Sequence, residues 1–178
     1  MKVSALYQEE KHYKANSAAC PSSLAFAPYT LYSHSSMPLT EAEVAALRLY
    51  ATEAARNSYS PYSHFRVGAA ILLQADERQD GAIVAGTNVE NASYRLTCCA
   101  EQSAIAAAVT LHGPEIRIRA ISIVNLNGAA CMPCGACRQT ILEFSIPETA
   151  VFYPNADGET VSATLAALLP DAFRLTTE

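Results

Sequence analysis

Three cysteines and one glutamate constrain this chain more than anything else in it. They stand as Cys99-Ala100-Glu101 and, after a gap of 31 residues, Pro133-Cys134-Gly135-Ala136-Cys137. Zinc accepts three thiolates and keeps a fourth tetrahedral position for water when the site is catalytic, whereas a closed structural site recruits a fourth protein ligand. The spacing supplies three clean ligands, so any fold open to this chain has to bring the two segments together. Glu101 lies too near the first thiol to share the metal readily, but it can reach a water held there and carry that water's proton. On its own, Cys-x-x-Cys also marks structural zinc knuckles and redox pairs, and Cys-x-Glu alone carries almost no information.

Both halves of the motif are expected to open helices. From Thr97 onward, Ala104, Ile105, Ala108, Val109 and Leu111 repeat at helical spacing and stop before Gly113-Pro114. Pro133 is placed to start a second helix, whose apolar side Ile141, Leu142 and Phe144 bury before Pro147. Thiolates at two helix N-termini gain from both macrodipoles, which favour negative charge there and lower thiol pKa.

The remaining elements follow from pattern and punctuation. Thr40 with Glu43 forms a capping box ahead of Val44, Leu47 and Ala51, which predicts a helix over 41–57. Pro61 then interrupts a loop crowded with Tyr59, Tyr62 and Phe65. Such aromatics beside a strand can stack on a planar base, and core packing accounts for Phe65 equally well. Apolar strands are predicted over 67–73 and 83–87, joined as an antiparallel hairpin across a polar turn at 76–81. The second runs into Asn88-Val89-Glu90-Asn91-Ala92-Ser93-Tyr94, a polar loop ending close to Cys99. If strand geometry persists, Asn88 and Glu90 leave on one face, where an amide and a carboxylate together suit the hydroxyls of a sugar. Taken separately, each is an ordinary loop residue. Further strands are predicted over 119–126, 150–153 and 160–162, and a last helical turn over 164–169.

Length and charge narrow the function. The 178 residues fit one domain over 37–178 behind an N-terminal extension, 1–36, that lacks sustained periodicity and is expected to be poorly ordered. A net charge of −5 and a pI near 5.4 argue against nucleic acid as a partner and leave room for a small neutral or weakly charged substrate. No apolar run approaches the ~20 residues needed to span a membrane. Six cysteines without framework spacing argue for reduced thiols and a cytoplasmic setting.

These stretches together resemble the cytidine deaminases, small homo-oligomeric zinc-dependent nucleoside deaminases, over about residues 40 to 174. The likeness is carried by residues 60–70, from Ser60-Pro61-Tyr62 to Gly68-Ala69-Ala70, by Asn88 through Tyr94, and by Cys99-Ala100-Glu101. Pro133 through Gln139 and Leu168-Leu169-Pro170 with Phe173 complete it. The resemblance implies an α/β protein with the three-layer α/β/α cytidine-deaminase-like fold around a five-stranded mixed sheet. It also implies one Zn²⁺ per subunit, a homotetramer whose subunits complete one another's sites, and no membrane or nucleic-acid partner.

The implied reaction is hydrolytic deamination of cytidine and deoxycytidine to uridine and deoxyuridine with release of ammonia, by water activated on the zinc. Carried across residue by residue, Cys99, Cys134 and Cys137 resemble the zinc ligands and Glu101 the proton shuttle. Phe65 resembles the wall beside the pyrimidine, Asn88 and Glu90 the ribose clamp, and Ala92 a backbone contact to the base, with Val89, Asn91, Ser93 and Tyr94 completing the substrate-binding segment. Tyr62 and Phe173 resemble groups donated across the subunit interface. One departure stands out. Many three-cysteine members carry Arg immediately after the glutamate, where it offsets thiolate charge; this chain has Gln102, with Arg138 as another source of positive charge nearby.

Overall fold

The first helix, α1, spans Glu41–Arg56 and begins where the capping box places it: the Thr40 Oγ1 accepts from the Glu43 N–H at 3.2 Å, and Glu43 Oε2 accepts from the Thr40 N–H at 2.7 Å. The computed structural model describes residues 38–75 and 81–175. The expected extension at 1–36 and most of the predicted turn at 76–81 lie outside the described residues.

Five strands form one mixed sheet: β1 (Val67–Leu73), β2 (Ile83–Thr87), β3 (Ile118–Asn125), β4 (Ser145–Pro154) and β5 (Thr160–Thr164), in the order β2-β1-β3-β4-β5. Only β3 and β4 run parallel, and the expected β1–β2 hairpin forms with Gly68 opposite Thr87. All seven residues of β1 are buried, because this central strand is covered on both faces. Towards one side, Ala70 and Leu72 of β1 and Ala120 of β3 meet Leu47 and Ala51 of α1. Towards the other, Ala69, Ile71, Ile121 and Ile123 meet α2 (Ala100–His112), α3 (Gly135–Phe144) and α4 (Leu165–Leu168). The alternation of a pleated strand thus yields the three-layer α/β/α arrangement.

Two glycines set how closely the layers approach. A Cβ on Gly68 would lie 2.0 Å from the Ala51 carbonyl oxygen, and one on Gly86 would lie 2.3 Å from the Ala104 amide nitrogen. In both cases the obstacle is helix backbone. α1 therefore rests directly on β1, and α2 directly on β2.

Three elements start two or more residues away from the sequence expectation. The second motif helix begins at Gly135, not Pro133, because Cys134 is its N-cap with extended backbone, φ −68° and ψ 169°. In the same way α2 begins at Ala100, Cys99 is its N-cap, and a separate 3-10 turn occupies Tyr94–Leu96. β4 starts at Ser145, directly after α3, instead of at Ala150. Ser145 pairs with Ile118 and Ala150 with Ala120, so the β3–β4 register is irregular across the segment containing Pro147. A proline, lacking an N–H, is tolerated in a sheet at such a break.

Candidate active site

The two N-caps face each other. Cys99 and Cys134 each hold extended backbone at a helix mouth, and Cys137 follows one turn into α3. Their Sγ atoms all lie within 4.8 Å of one another, with Cys137 buried, Cys99 half-buried and Cys134 exposed. Tetrahedral zinc with Zn–S bonds of about 2.3 Å requires sulfurs roughly 3.8 Å apart, so this cluster is close to a binding geometry. Among the described residues it is the one group of ligating side chains so gathered, and it offers three sulfurs without a fourth protein ligand. That is the donor set of an open site. A redox pair has no need of the third thiol.

Glu101 lies in the first turn of α2 with its side chain buried, and burial holds its carboxyl above the usual carboxylate range. Cys99 is drawn down to about 7, chiefly by a hydrogen bond from the Cys137 thiol and against the opposing effect of burial. Cys137 moves up in return, because its proton is held towards Cys99. The pocket crowds several acidic groups into little solvent, which favours the protonated forms of Glu101 and Cys137. A divalent cation replaces those protons when it binds, which is the coupling expected of a zinc site. Cys131 is also near, but burial and the charges of Glu101 and Cys99 push it up to about 12, so it stays a neutral thiol.

The loop after β2 is led to this centre by backbone pairing. Val89 exchanges two 2.9 Å hydrogen bonds with Cys98, while the Tyr59 N–H donates to the Asn88 carbonyl and the Glu90 N–H to the Tyr59 carbonyl. Strand-like alternation persists: Asn88 and Glu90 are buried and Val89 is exposed. The Asn88 amide accepts from the Val67 N–H at 2.9 Å and from Ser58 Oγ at 2.5 Å, and donates to the Phe65 carbonyl at 2.8 Å. Glu90 accepts from the Tyr62 N–H at 2.9 Å, the Ser63 N–H at 3.2 Å and the Ser63 hydroxyl, which lowers its pKa. Both side chains therefore brace the 58–65 loop.

Phe65 is half-buried, one part of it packed on the central cluster, so packing and exposure are combined in one ring. Asn91, Ala92, Ser93 and Tyr94 form an exposed rim, where Asn91 Oδ1 accepts from the Ser93 N–H at 2.9 Å. Tyr62 stacks edge-on against Tyr94 with ring centroids 6.2 Å apart. Phe173 is exposed, and its carbonyl accepts from Gln139 Nε2 at 3.0 Å.

Two charge expectations change. Gln102 turns its Oε1 back to accept from the Cys99 N–H at 3.3 Å, closing the α2 N-cap. Arg138 gives its guanidinium to the Pro133 and Leu168 carbonyls at 2.9 and 2.8 Å and to the Met132 sulfur, so it fastens α3 to α4. Sequence reading passed over Ser58, Ser63 and Asn127, whose short polar side chains carry much of this loop. Their only signal is a run of hydroxyl and amide residues in loops, where such groups replace missing backbone partners.

Three thiolates at two helix N-termini, an open metal position and a buried carboxyl beside it define a zinc-dependent hydrolase on an α/β/α fold. Residues 41–153 match the model of the cytidine and deoxycytidylate deaminase zinc-binding region, and the chain belongs to that family. It is 43% identical over 129 residues to the cytidine deaminase of Mycobacterium tuberculosis, a match covering 72% of this chain and 88% of that protein. With the cytidine deaminase of Halalkalibacterium halodurans the identity is 40%, covering 69% of this chain and 88% of the relative. Among solved structures, the cytidine deaminases of M. tuberculosis and Burkholderia pseudomallei superimpose with TM-scores of 0.63 and 0.64. Their identities are 42% and 38%, over 75% and 76% of this chain and 98% and 100% of theirs.

Proposed function

We propose that the chain catalyses hydrolytic deamination of cytidine and deoxycytidine, giving uridine or deoxyuridine and ammonia, a reaction of pyrimidine salvage. The observation that carries this reading is the buried Glu101 beside the Cys99–Cys134–Cys137 cluster, in a chain so similar to proteins named cytidine deaminase.

Cys99, Cys134 and Cys137 would hold the ion. When bound, zinc supplies Lewis acidity that brings the pKa of a water down from 15.7 toward ~7. Burial raises the basicity of the Glu101 carboxylate, which accepts the proton of the attacking water and delivers it to ring N3, making C4 electrophilic. The same carboxylate then takes the remaining proton from the hydroxyl added at C4 and passes it to the amine, so that the C4–N bond breaks, C4=O forms and ammonia leaves. Water and nucleoside are consumed and ammonia leaves, with no organic cofactor required.

Substrate placement belongs to the surrounding loop. Phe65 presents the unburied part of its ring to the pyrimidine. Asn88 has a second amide hydrogen and Glu90 a remaining lone pair with which to hold ribose hydroxyls. The Ala92 backbone meets the base, and Val89, Asn91, Ser93 and Tyr94 complete the rim. Tyr62 and Phe173, both exposed, are offered to a neighbouring subunit of a homotetramer. The acidic charge supports a nucleoside over a polynucleotide substrate. Five free thiols among the described residues support a cytoplasmic setting, and no helix among those residues is long and apolar enough to cross a membrane. Ammonia release from cytidine by the zinc-loaded protein, abolished by a chelator and restored by zinc, tests the reading. A zinc-loaded protein that releases none contradicts it.

A further inference from the structure

The loop carrying Phe65 has an unusual support. From the His64 carbonyl to the Arg66 amide, all four main-chain polar groups bond to side chains. The His64 carbonyl accepts from Asn127 Nδ2 at 2.9 Å, and the Arg66 N–H donates to Asn127 Oδ1 at 2.9 Å. Between them, the Phe65 N–H donates to Ser63 Oγ at 3.0 Å and the Phe65 carbonyl accepts from Asn88 Nδ2 at 2.8 Å. One amide side chain thus grips the peptide groups on both sides of Phe65. His64 meanwhile has φ 57°, a left-handed conformation that disfavours a residue with a Cβ and persists only where surroundings enforce it.

Asn127 is itself anchored. Its N–H donates to Asn125 Oδ1 at 2.8 Å, at the end of β3, and the neighbouring Leu126 N–H donates to the Arg66 carbonyl at 3.0 Å. It sits on the connection that leads from β3 to Cys134, so it links the segment bearing two of the thiols to the loop bearing Phe65.

We infer that Asn127 is a positioning residue: it locks the strained His64–Arg66 backbone and so fixes the face that Phe65 shows to the base. The inference rests on the reading of Phe65 as the wall of the pyrimidine site. An interaction made equally in ground and transition states alters KM and leaves kcat almost unchanged. Two neutral hydrogen bonds, at the lower end of their usual worth, carry about a five- to tenfold effect.

The test compares kcat and KM for cytidine in the zinc-loaded wild type, Asn127→Ala, Phe65→Ala and the double variant, with zinc content measured for each. Asn127→Ala is expected to raise KM about five- to tenfold at near-normal kcat and one zinc per subunit. On the Phe65→Ala background it should add almost nothing, since both changes act through one ring. An unchanged KM in Asn127→Ala beside a raised KM in Phe65→Ala overturns the positioning role alone. A further rise of the same size in the double variant also overturns it, because Asn127 would then act independently of Phe65. If Phe65→Ala itself leaves KM unchanged, the reading of Phe65 fails and the inference falls with it.

Discussion

Gln102 is the residue at which this chain departs from the pattern that its resemblance to three-cysteine deaminases implies. Three thiolates around Zn²⁺ sum to −1, which weakens the ion's pull on its water unless positive charge or hydrogen bonds compensate. An arginine at this position would supply charge. Here the Gln102 Oε1 serves the Cys99 N–H, and Arg138 is committed to carbonyls of Pro133 and Leu168. The Arg138 charge persists beside Pro133, but its donors go to carbonyls and to Met132, so compensation at the thiols themselves falls to the two helix N-termini that bear them. Gln102→Arg should shift the acidic limb of the kcat/KM pH profile to lower pH with zinc content unchanged, because added positive charge favours loss of the water proton. It should also lower stability by about 1 kcal/mol, since the N-cap loses its acceptor. A pH profile that does not move, with zinc intact, would contradict the electrostatic part of this account.

At the scale of elements, the site is only as well placed as α2 is on β2. Gly86→Ala drives a Cβ into the backbone of Ser103 and Ala104, two turns at most from Cys99, whereas Gly68→Ala drives one into α1, which carries no ligand. Both variants should lose roughly 2–4 kcal/mol, beyond the usual cost of overpacking because rigid backbone has to move. Only Gly86→Ala should weaken zinc binding, by tenfold or more in a chelator competition; equal zinc affinity in the two variants would argue that the site tolerates displacement of α2. The extent to which such features were legible in the sequence varies with their physics. The capping box of α1, the β1–β2 hairpin and the alternation of Asn88 with Glu90 are local patterns, and they read correctly. The gathering of Cys99, Cys134 and Cys137 was legible because the chemistry of such a cluster is written in residue type and spacing. The early start of β4 was not, since pairing of Ser145 with Ile118 is decided by the neighbouring strand and overrides the break expected at Pro147. Asn127 was illegible for a similar reason: its partners, His64 and Arg66, lie about sixty residues away in sequence.

For the whole molecule, a single chain leaves Tyr62 and Phe173 exposed. Within the proposed homotetramer Tyr62 and Phe173 would meet neighbouring subunits, and Phe173 would complete the site of another chain. Mixing inactive Glu101→Gln with impaired Phe173→Ala under subunit exchange should then recover activity, because mixed assemblies unite an intact Glu101 with an intact Phe173. No recovery on mixing, despite demonstrated exchange, would mean that each site is built from one chain. The central claim, that Glu101 moves the protons of a deamination for which the three thiols hold the zinc, is tested most directly on Glu101→Gln itself. Zinc content and ammonia release from cytidine are measured on the same preparation. The account predicts one zinc per subunit, as in the wild type, with turnover lower by roughly 10³-fold or more; near-normal ammonia release from the zinc-loaded variant would contradict it.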